Sequence, residues 1–545
     1  MKKLLVLSIA TFFIYDSFCQ DVRLSFSNDF KIAEKHYKDQ AVTNSVYEDN
    51  HFFTVTNDGV SGTKWLFTKL YDIKFSATLQ KYDKDMNLVK ELKVDNGNKN
   101  FGPLMPKLLL FNKQLLLASF KSDDDQSFSL YLRKINDDDL STDTPEKICT
   151  IKQENVGAFK IESLINSGII YFCMSPDNQK MLLACKSAVG KIQIYVLNDK
   201  LNVVNKGIAN INLSDFTIPS AVVTSDNKAC LVLKGKEETK IICFNSDGKK
   251  SDIHYRAEGE MDLNVTKVKL AKDGKKIYIF STNTNTELAK AWCNGFEIAQ
   301  IDCNTLKLSK PLKYDFTPEF MALMVKKGAA VKHKRNYYIY NFNPELVELN
   351  NGKIAIVGSP KGIQTTDYSS FDANGNYRSK SASEMKVGPV IIFFPDENGK
   401  TFNETFVPRE CSFVRVDVGG VGPIQIIHPL YMPESSTGFV VSTIQNKILI
   451  IYNDNSKNLS IAENEKAKVS KSESDLALAE ALIDEDRKLE YRKLLSEKQQ
   501  GRATYYLENA IPTSSNSIVF PIGKAGIGFK SNKTFYSKWC FVDLD

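Results

Sequence analysis

The sequence predicts an all-β fold, a β-propeller of seven blades within a range of six to eight, and three observations carry that reading. Ser175-Pro-Asp-Asn-Gln-Lys180 lies between two apolar, strand-like runs. It reads as a tight turn, because Pro presets φ while Asp and Asn fold back onto their own backbone. The turn returns as Thr224-Ser-Asp-Asn-Lys228 and Ala271-Lys-Asp-Gly-Lys-Lys276, so Asp177, Asp226 and Asp273 stand 49 and 47 positions apart. A period of that size, filled with short strands, marks a propeller blade. Finally, Met181-Leu-Leu183 and Ile277-Tyr-Ile-Phe280 are apolar without alternation, as expected of strands covered on both faces.

A chain of 545 residues would ordinarily divide into several domains. Blades added around an axis instead extend one repeated core, so residues 20–545 read as a single propeller domain. The net charge of +6 is spread among 71 basic and 65 acidic residues. That mixture is too mild to call for nucleic acid or an anionic membrane as a partner. Met1-Lys-Lys-Leu-Leu-Val-Leu leads a short apolar run, and Ser17-Phe-Cys19 precedes Gln20 with small residues at −3 and −1. Residues 1–19 therefore read as a cleaved secretory signal, placing the chain in the periplasm or outside the cell. Cys19 offers the alternative of an outer-membrane lipoprotein, against which Asp16 and bulky Phe18 speak. No later stretch approaches eighteen consecutive apolar residues, the length of a membrane-spanning helix.

Nine cysteines follow Cys19, none in a Cys-x-x-Cys motif, and most within apolar runs that suit buried small hydrophobes. One pair stands out. If 231–233 and 241–243 form a hairpin around Gly235-Lys-Glu-Glu238, Cys230 falls opposite Cys243 and an exported chain can oxidise the two.

Taken in order, 51–56, 65–70, 75–82 and 88–94 read as strands, with Asp83, Asp85 and Asn87 as turn residues. The last three mimic the start of a calcium loop, but Leu88 and Val94 stand where that loop needs Gly and Glu. A second blade spans 107–151. Its acidic triplets, 123–125 and 137–139, flank one strand and so lie roughly 30 Å apart at 3.3 Å per residue, too far to share a site. Further blades are expected at 168–212, 220–257 and 265–315. Thr317-Pro-Glu319 then starts a helix, with Thr as N-cap and Pro in the first turn, opening an insertion at about 316–343. Its basic and aromatic residues, Lys332, His333, Lys334, Arg335 and Tyr337, are candidate partner-binding positions.

A sixth unit spans 345–407, with the Ser- and Asp-rich stretch from Gly362 to Lys386 read as a loop. Gly419-Gly-Val-Gly422 lacks the Lys and Ser/Thr of a phosphate loop. After strands at 438–452, residues 461–502 read as a second helical insertion: Leu478, Leu482 and Leu489 fall at helical spacing, acidic residues come early and basic ones late. These three leucines are the other candidate partner-binding positions. The strands at 517–544 are expected to complete a blade shared with the N-terminal region and clasp the ring.

The Ser-Pro-Asp-Asn-x-Lys turn at 175–180, with weaker copies at 225–228 and 273–276, resembles the turn repeat of TolB-like propellers. The stretch from Gly388-Pro-Val-Ile-Ile-Phe-Phe394 to Tyr452-Asn-Asp-Asn-Ser-Lys-Asn458 is similar to a group of exported bacterial propellers with no assigned activity. That resemblance implies a scaffold of the cell envelope; the separate N-terminal domain of TolB itself is missing.

Enzyme signatures are scarce. Gly358-Ser359-Pro360 fails the last glycine of a nucleophile elbow, no His-Glu-x-x-His occurs, and the five histidines are dispersed. No cofactor, metal site or catalytic residue is therefore assigned. The sequence points to a non-catalytic exported propeller that binds protein or glycan of the bacterial envelope. The alternative is a hydrolase or lyase acting on polysaccharide or peptide from the propeller axis.

Overall fold

The computed structural model describes residues between Arg23 and Asp543 with breaks, the longest at 33–44, 62–73, 95–103, 153–169, 256–265, 286–291, 418–437, 496–502, 508–516 and 525–534. The expected signal peptide, the strand at 65–70 and Gly419–Gly422 lie outside the described residues.

Among the described residues there are nine antiparallel sheets of at least four strands, and eight of them follow one another along the chain as blades. Blades 1 to 7 occupy 45–94, 104–152, 170–210, 216–253, 266–315, 345–407 and 439–494. Blade 8 is assembled from both ends of the chain. Ala503–Tyr505, Ser517–Lys524 and Phe535–Asp543 supply three strands, and Arg23–Phe26 pairs with the last of them, Leu24 opposite Val542. The expected clasp is present.

The ring closes through eight apolar seams, one for each neighbouring pair. Phe53 and Leu117 meet between blades 1 and 2, Leu116 and Leu183 between 2 and 3, and Ile194 and Leu231 between 3 and 4. The series continues with Val232 and Ile279, Phe296 and Phe393, Ile392 and Ile450, and Leu449 and Phe520. Val519 and Phe52 complete it between blades 8 and 1. Sequence neighbours such as Leu116 and Leu117 serve opposite seams because successive side chains on a strand point to opposite faces. This two-sided burial explains the unalternating apolar runs.

Two expectations are corrected. Residues 476–483 are not helical but a wholly buried central strand of blade 7, and Leu489–Leu494 is its outer strand. Leu476-Ala-Leu-Ala-Glu-Ala-Leu-Ile483 is apolar at every position but buried Glu480, so its spacing fits either period. Helix-forming alanines yield to the two seams the strand must fill. With blade 7 completed by these strands, the C-terminal strands form a further blade, and the described residues make eight blades, the upper end of the expected six to eight. Within 456–475 the described helical element is a single 3-10 turn, Ser456–Ser460.

The second correction concerns Gly362–Lys386. It is a two-stranded ribbon, Pro360–Phe371 against Tyr377–Val387, not a loop. Ribbon, Asn341–Phe342 and Cys411–Asp417 form an auxiliary four-stranded sheet outside the ring. Its polar sequence carries no core periodicity, and its ladder rather than a buried face defines it.

The helix expected after Thr317 is present as α1, Pro318–Lys326, and the Thr317 side chain accepts a hydrogen bond from Phe320 N at 3.2 Å. Phe320, Met321 and Met324 are buried in the seam between blades 5 and 6. There Phe316 stacks on Phe393 at 5.6 Å, and Phe402 meets Phe393 edge-on at 5.0 Å.

Candidate functional site

Because every blade is antiparallel and wound alike, the connections sort onto two faces. One face collects the links between first and second and between third and fourth strands. The other collects the links between second and third strands and between blades.

The first, the turn face, holds Asp49-Asn50, Asn112-Lys113 and the Asp177, Asp226 and Asp273 turns. The Asp turns are clips. Ser225 Oγ donates to Asp177 Oδ2 at 2.6 Å, joining blade 4 to blade 3, and Gln179 Nε2 donates to Asn112 Oδ1 at 3.1 Å, joining blade 3 to blade 2. Lys228 Nζ reaches Cys303 O of blade 5 at 2.8 Å, and Lys272 Nζ reaches Asn350 Oδ1 of blade 6 at 2.8 Å. Burial acts against ionisation of Asp177, but hydrogen bonds from Ser175 and Ser225 hold its carboxyl below the usual range. Asp83 likewise accepts from Asp85 N and Asn87 N, as a turn residue should.

The opposite, insertion face carries the described parts of the four longest connections, 316–344, 359–389, 408–438 and 456–475, which leave from blades 5, 6 and 7. They are knitted together at their roots. Arg409 is 1% exposed; Nη1 donates to Gly438 O at 3.1 Å and Nη2 to Ser359 Oγ at 3.0 Å, while Ser359 donates to Gly388 O at 2.9 Å. One guanidinium thus ties the end of blade 6, both ends of the ribbon and the start of blade 7. Ser359 is committed to this anchor. The glycine before it, Gly358, leaves room for the Phe342 ring, whose Cε2 would stand 2.5 Å from an added Cβ. Ser412 N donates to Ser470 O at 2.9 Å, and Met385, Val387 and Cys411 pack on Leu476. The loop 456–475 is itself held by buried Asn458, which accepts from Lys468 N at 2.7 Å and donates to Asp454 Oδ1 at 2.8 Å. Arg492 donates to Asn458 O at 2.6 Å and also to Ile461 O.

Near the axis, the innermost strands of blades 4, 5 and 6 and the second strand of blade 5 line a half-open pocket of about 260 Å³. Lys267 and Lys269 project from the inner strand Thr266–Leu270. Lys267 Nζ donates to Pro344 O at 2.9 Å and Lys269 Nζ to Leu346 O at 2.8 Å, capping carbonyls on the inner edge of blade 6. Tyr278 and Phe280 form the aromatic wall, Ser220 the blade 4 side, and Glu345 the facing carboxylate. Ser220 Oγ accepts from Val268 N at 3.1 Å, fastening the two inner strands. Burial pulls both ammoniums below the ordinary lysine value; the Glu345 carboxylate works in the other direction on both, joined at Lys269 by Glu348, while Lys272 adds to the lowering there. Lys267, Pro344 and Glu345 sit at the insertion-face ends of their strands, so the pocket belongs to that half of the axis.

The sequence-selected residues fare unequally. Leu478 and Leu482 are buried in the seam between blades 7 and 8, and Leu489 packs on the seam between blades 6 and 7. They are core, not a partner-binding stripe, because the segment is strand. Lys332 and His333 lie on Ala330–His333 and Tyr337 on Asn336–Ile339, a hairpin with Lys332 opposite Tyr337. This hairpin adds to blade 5 on the insertion face. Lys334 and Arg335 are outside the described residues. Cys230 stands opposite Cys243 as expected, and the two form a disulfide with Cα atoms 4.1 Å apart. Among the described residues no group of three His, Cys, Asp or Glu is placed to hold a metal, and no helix is long and apolar enough to cross a membrane. Sequence reasoning missed Lys267, Lys269 and Glu345. The signal for the two lysines was the alternation Thr266-Lys-Val-Lys-Leu270, polar residues on a strand otherwise destined for two seams; Glu345, on another strand, had none.

No family model and no curated protein matches the chain. Among solved structures, it is similar to the periplasmic gluconolactonase PpgL of Pseudomonas aeruginosa, with 12% identity over 68% of this chain and 87% of that one, at a TM-score of 0.32. A candidate 6-phosphogluconolactonase of Bacteroides uniformis aligns at 13% identity over 67% and 83%, TM-score 0.32. The β-propeller domain of Cps50 (Swd1) from Myceliophteria thermophila aligns at 8% over 81% and 98%, TM-score 0.29. At these values the likeness says nothing of activity.

Proposed function

We propose that the chain is a binding and scaffold protein of the bacterial envelope whose working surface is the insertion face, engaging a protein or glycan partner. The observation that carries this reading is the one-sided placement of the described parts of the four longest connections, three of them fused through Arg409, Ser470 and the Met385–Leu476 contact and the fourth joined to the ribbon by the pairing of Asn341 with Lys361. Scaffolds place variable, recognition-bearing segments where strand geometry does not constrain them. The axial pocket fits binding better than hydrolysis or lysis, since its walls bring two lysines together with one carboxylate rather than a pair of carboxylates. Export through the 1–19 signal supplies the setting.

The test is a shortened ribbon. Joining Ile363 to Met385, which are paired in register, through an Asn-Gly turn removes the ribbon's outer part and keeps Met385 in its seam. The shortened protein should melt within a few degrees of the parent and lose the partners that the intact chain recovers from envelope extracts. Recovery of the same partners by both proteins would refute the reading. Deleting 461–502 is no substitute, because it removes two strands of blade 7.

A further inference from the structure

We propose that the axial pocket between blades 4, 5 and 6 is a binding site for a small dicarboxylate that also carries a hydroxyl or ammonium group. This deepens the reading of the insertion face as the working surface, since the pocket lies in the same half of the axis.

The argument begins with spacing. Lys267 and Lys269 are two apart on one strand, and the carbonyls they reach, Pro344 O and Leu346 O, are two apart on another. With about 3.3 Å of rise per residue, the two ammoniums stand roughly 6–7 Å apart, matching the carboxylates of a linear diacid of about four to six carbons. Each ammonium has three N–H donors and spends one on its carbonyl, leaving two that can turn toward a ligand. The carbonyls position the cations without neutralising them. Charge-assisted hydrogen bonds from both would be the strongest available to a pocket ligand.

Glu345 opens the inner strand of blade 6, directly after Pro344, and lines the pocket beside the two lysines. An ionised carboxylate is an acceptor only. It would repel a bare diacid and reward one bearing a donor between its ends. Tyr278 and Phe280 offer an apolar wall for the methylene chain. The volume of about 260 Å³ admits such a molecule with ordered water and excludes an oligosaccharide.

The experiment is isothermal titration of the full chain with succinate, malate, glutamate and adipate, each beside its diamide, and with inorganic phosphate as a second anion. Malate or glutamate should bind at least tenfold tighter than its diamide and tighter than succinate, with affinity falling as salt is added. Lys267→Met and Lys269→Met should each weaken binding tenfold or more. Glu345→Gln, which disturbs no capped carbonyl, should erase the preference for malate over succinate, and it answers the question should a lysine variant fail to fold. If no diacid binds tighter than its diamide, if phosphate competes equally well, or if Glu345→Gln leaves the preference unchanged, the proposal is wrong. Partner recovery by the intact and ribbon-shortened proteins is read separately, so either proposal can fail alone.

Discussion

The two faces of the ring solve different problems with the same strands. On the turn face, short connections are stitched blade to blade by exposed or half-buried side chains, each clip independent of the next. On the insertion face, the connections of three blades are held by a few deeply buried polar groups shared among several segments. Loss of a clip should be local and mild; loss of a shared anchor should release several segments together.

Arg409→Ala should have the largest effect. Removing a buried guanidinium that satisfies Gly438 O and Ser359 forfeits two charge-assisted hydrogen bonds of about 1.5–3 kcal/mol each. Denaturant titration should register that loss, and hydrogen exchange should accelerate at 360–371, 377–387 and 411–417 while the turn face stays protected. Uniform acceleration on both faces would break the comparison.

Asp454 sharpens it through pH. Burial raises its carboxyl from 3.8 to about 7, against the opposing influence of the Asn458 hydrogen bond and of Arg409 and Arg492; Tyr452 and Cys411 lie nearby and are themselves shifted up. The folded protein therefore holds a proton that the unfolded chain releases near pH 4. Stability is greatest at or below the unfolded value and declines as pH rises from about 4 through 7, by an amount on the order of a few kcal/mol. Asp454→Asn should abolish that decline and melt higher than the parent at pH 8. A parent that gains stability between pH 5 and 7 while the variant does not would contradict it.

The disulfide in blade 4 ranks next. Cys230→Ser with Cys243→Ser closes no 13-residue separation and should cost about 2–3 kcal/mol, visible as a matching drop when the parent is unfolded in reductant. The smallest change is expected on the turn face. Ser225→Ala removes the clip to Asp177 and should cost about 0.5–1 kcal/mol, with no change in exchange on the insertion face.

What the sequence made legible follows the same division. The turn face was readable because its chemistry is local: Ser175, Asp177 and Lys180 act within six residues. The α1 start at Thr317 and the Cys230–Cys243 register are likewise local. The insertion face was opaque because its causes are distant. Arg409 meets Ser359 and Gly438 across 50 and 29 positions, and nothing beside Arg409 in the sequence announces a buried cation. Residues 476–483 were misread because alanine and leucine serve helix and doubly covered strand alike, so only the presence of two neighbouring sheets decides. The ribbon was missed because its hydrogen-bonded ladder needs no apolar stripe.

The pairing of Leu24 with Val542 also governs assembly. The two seams of blade 8 are filled from Ser517–Lys524 and Phe535–Asp543, which follow the other seven blades in the chain, so those blades form an unsealed arc with Leu449 and Phe52 uncovered until these strands pair. Contacts of such long sequence separation form slowly. Shielding those open flanks until the C-terminal strands arrive is therefore a demand that this architecture places on the compartment where it folds, whereas losing Arg23–Phe26 would strip only the outermost strand of blade 8 and leave both of its seams in place.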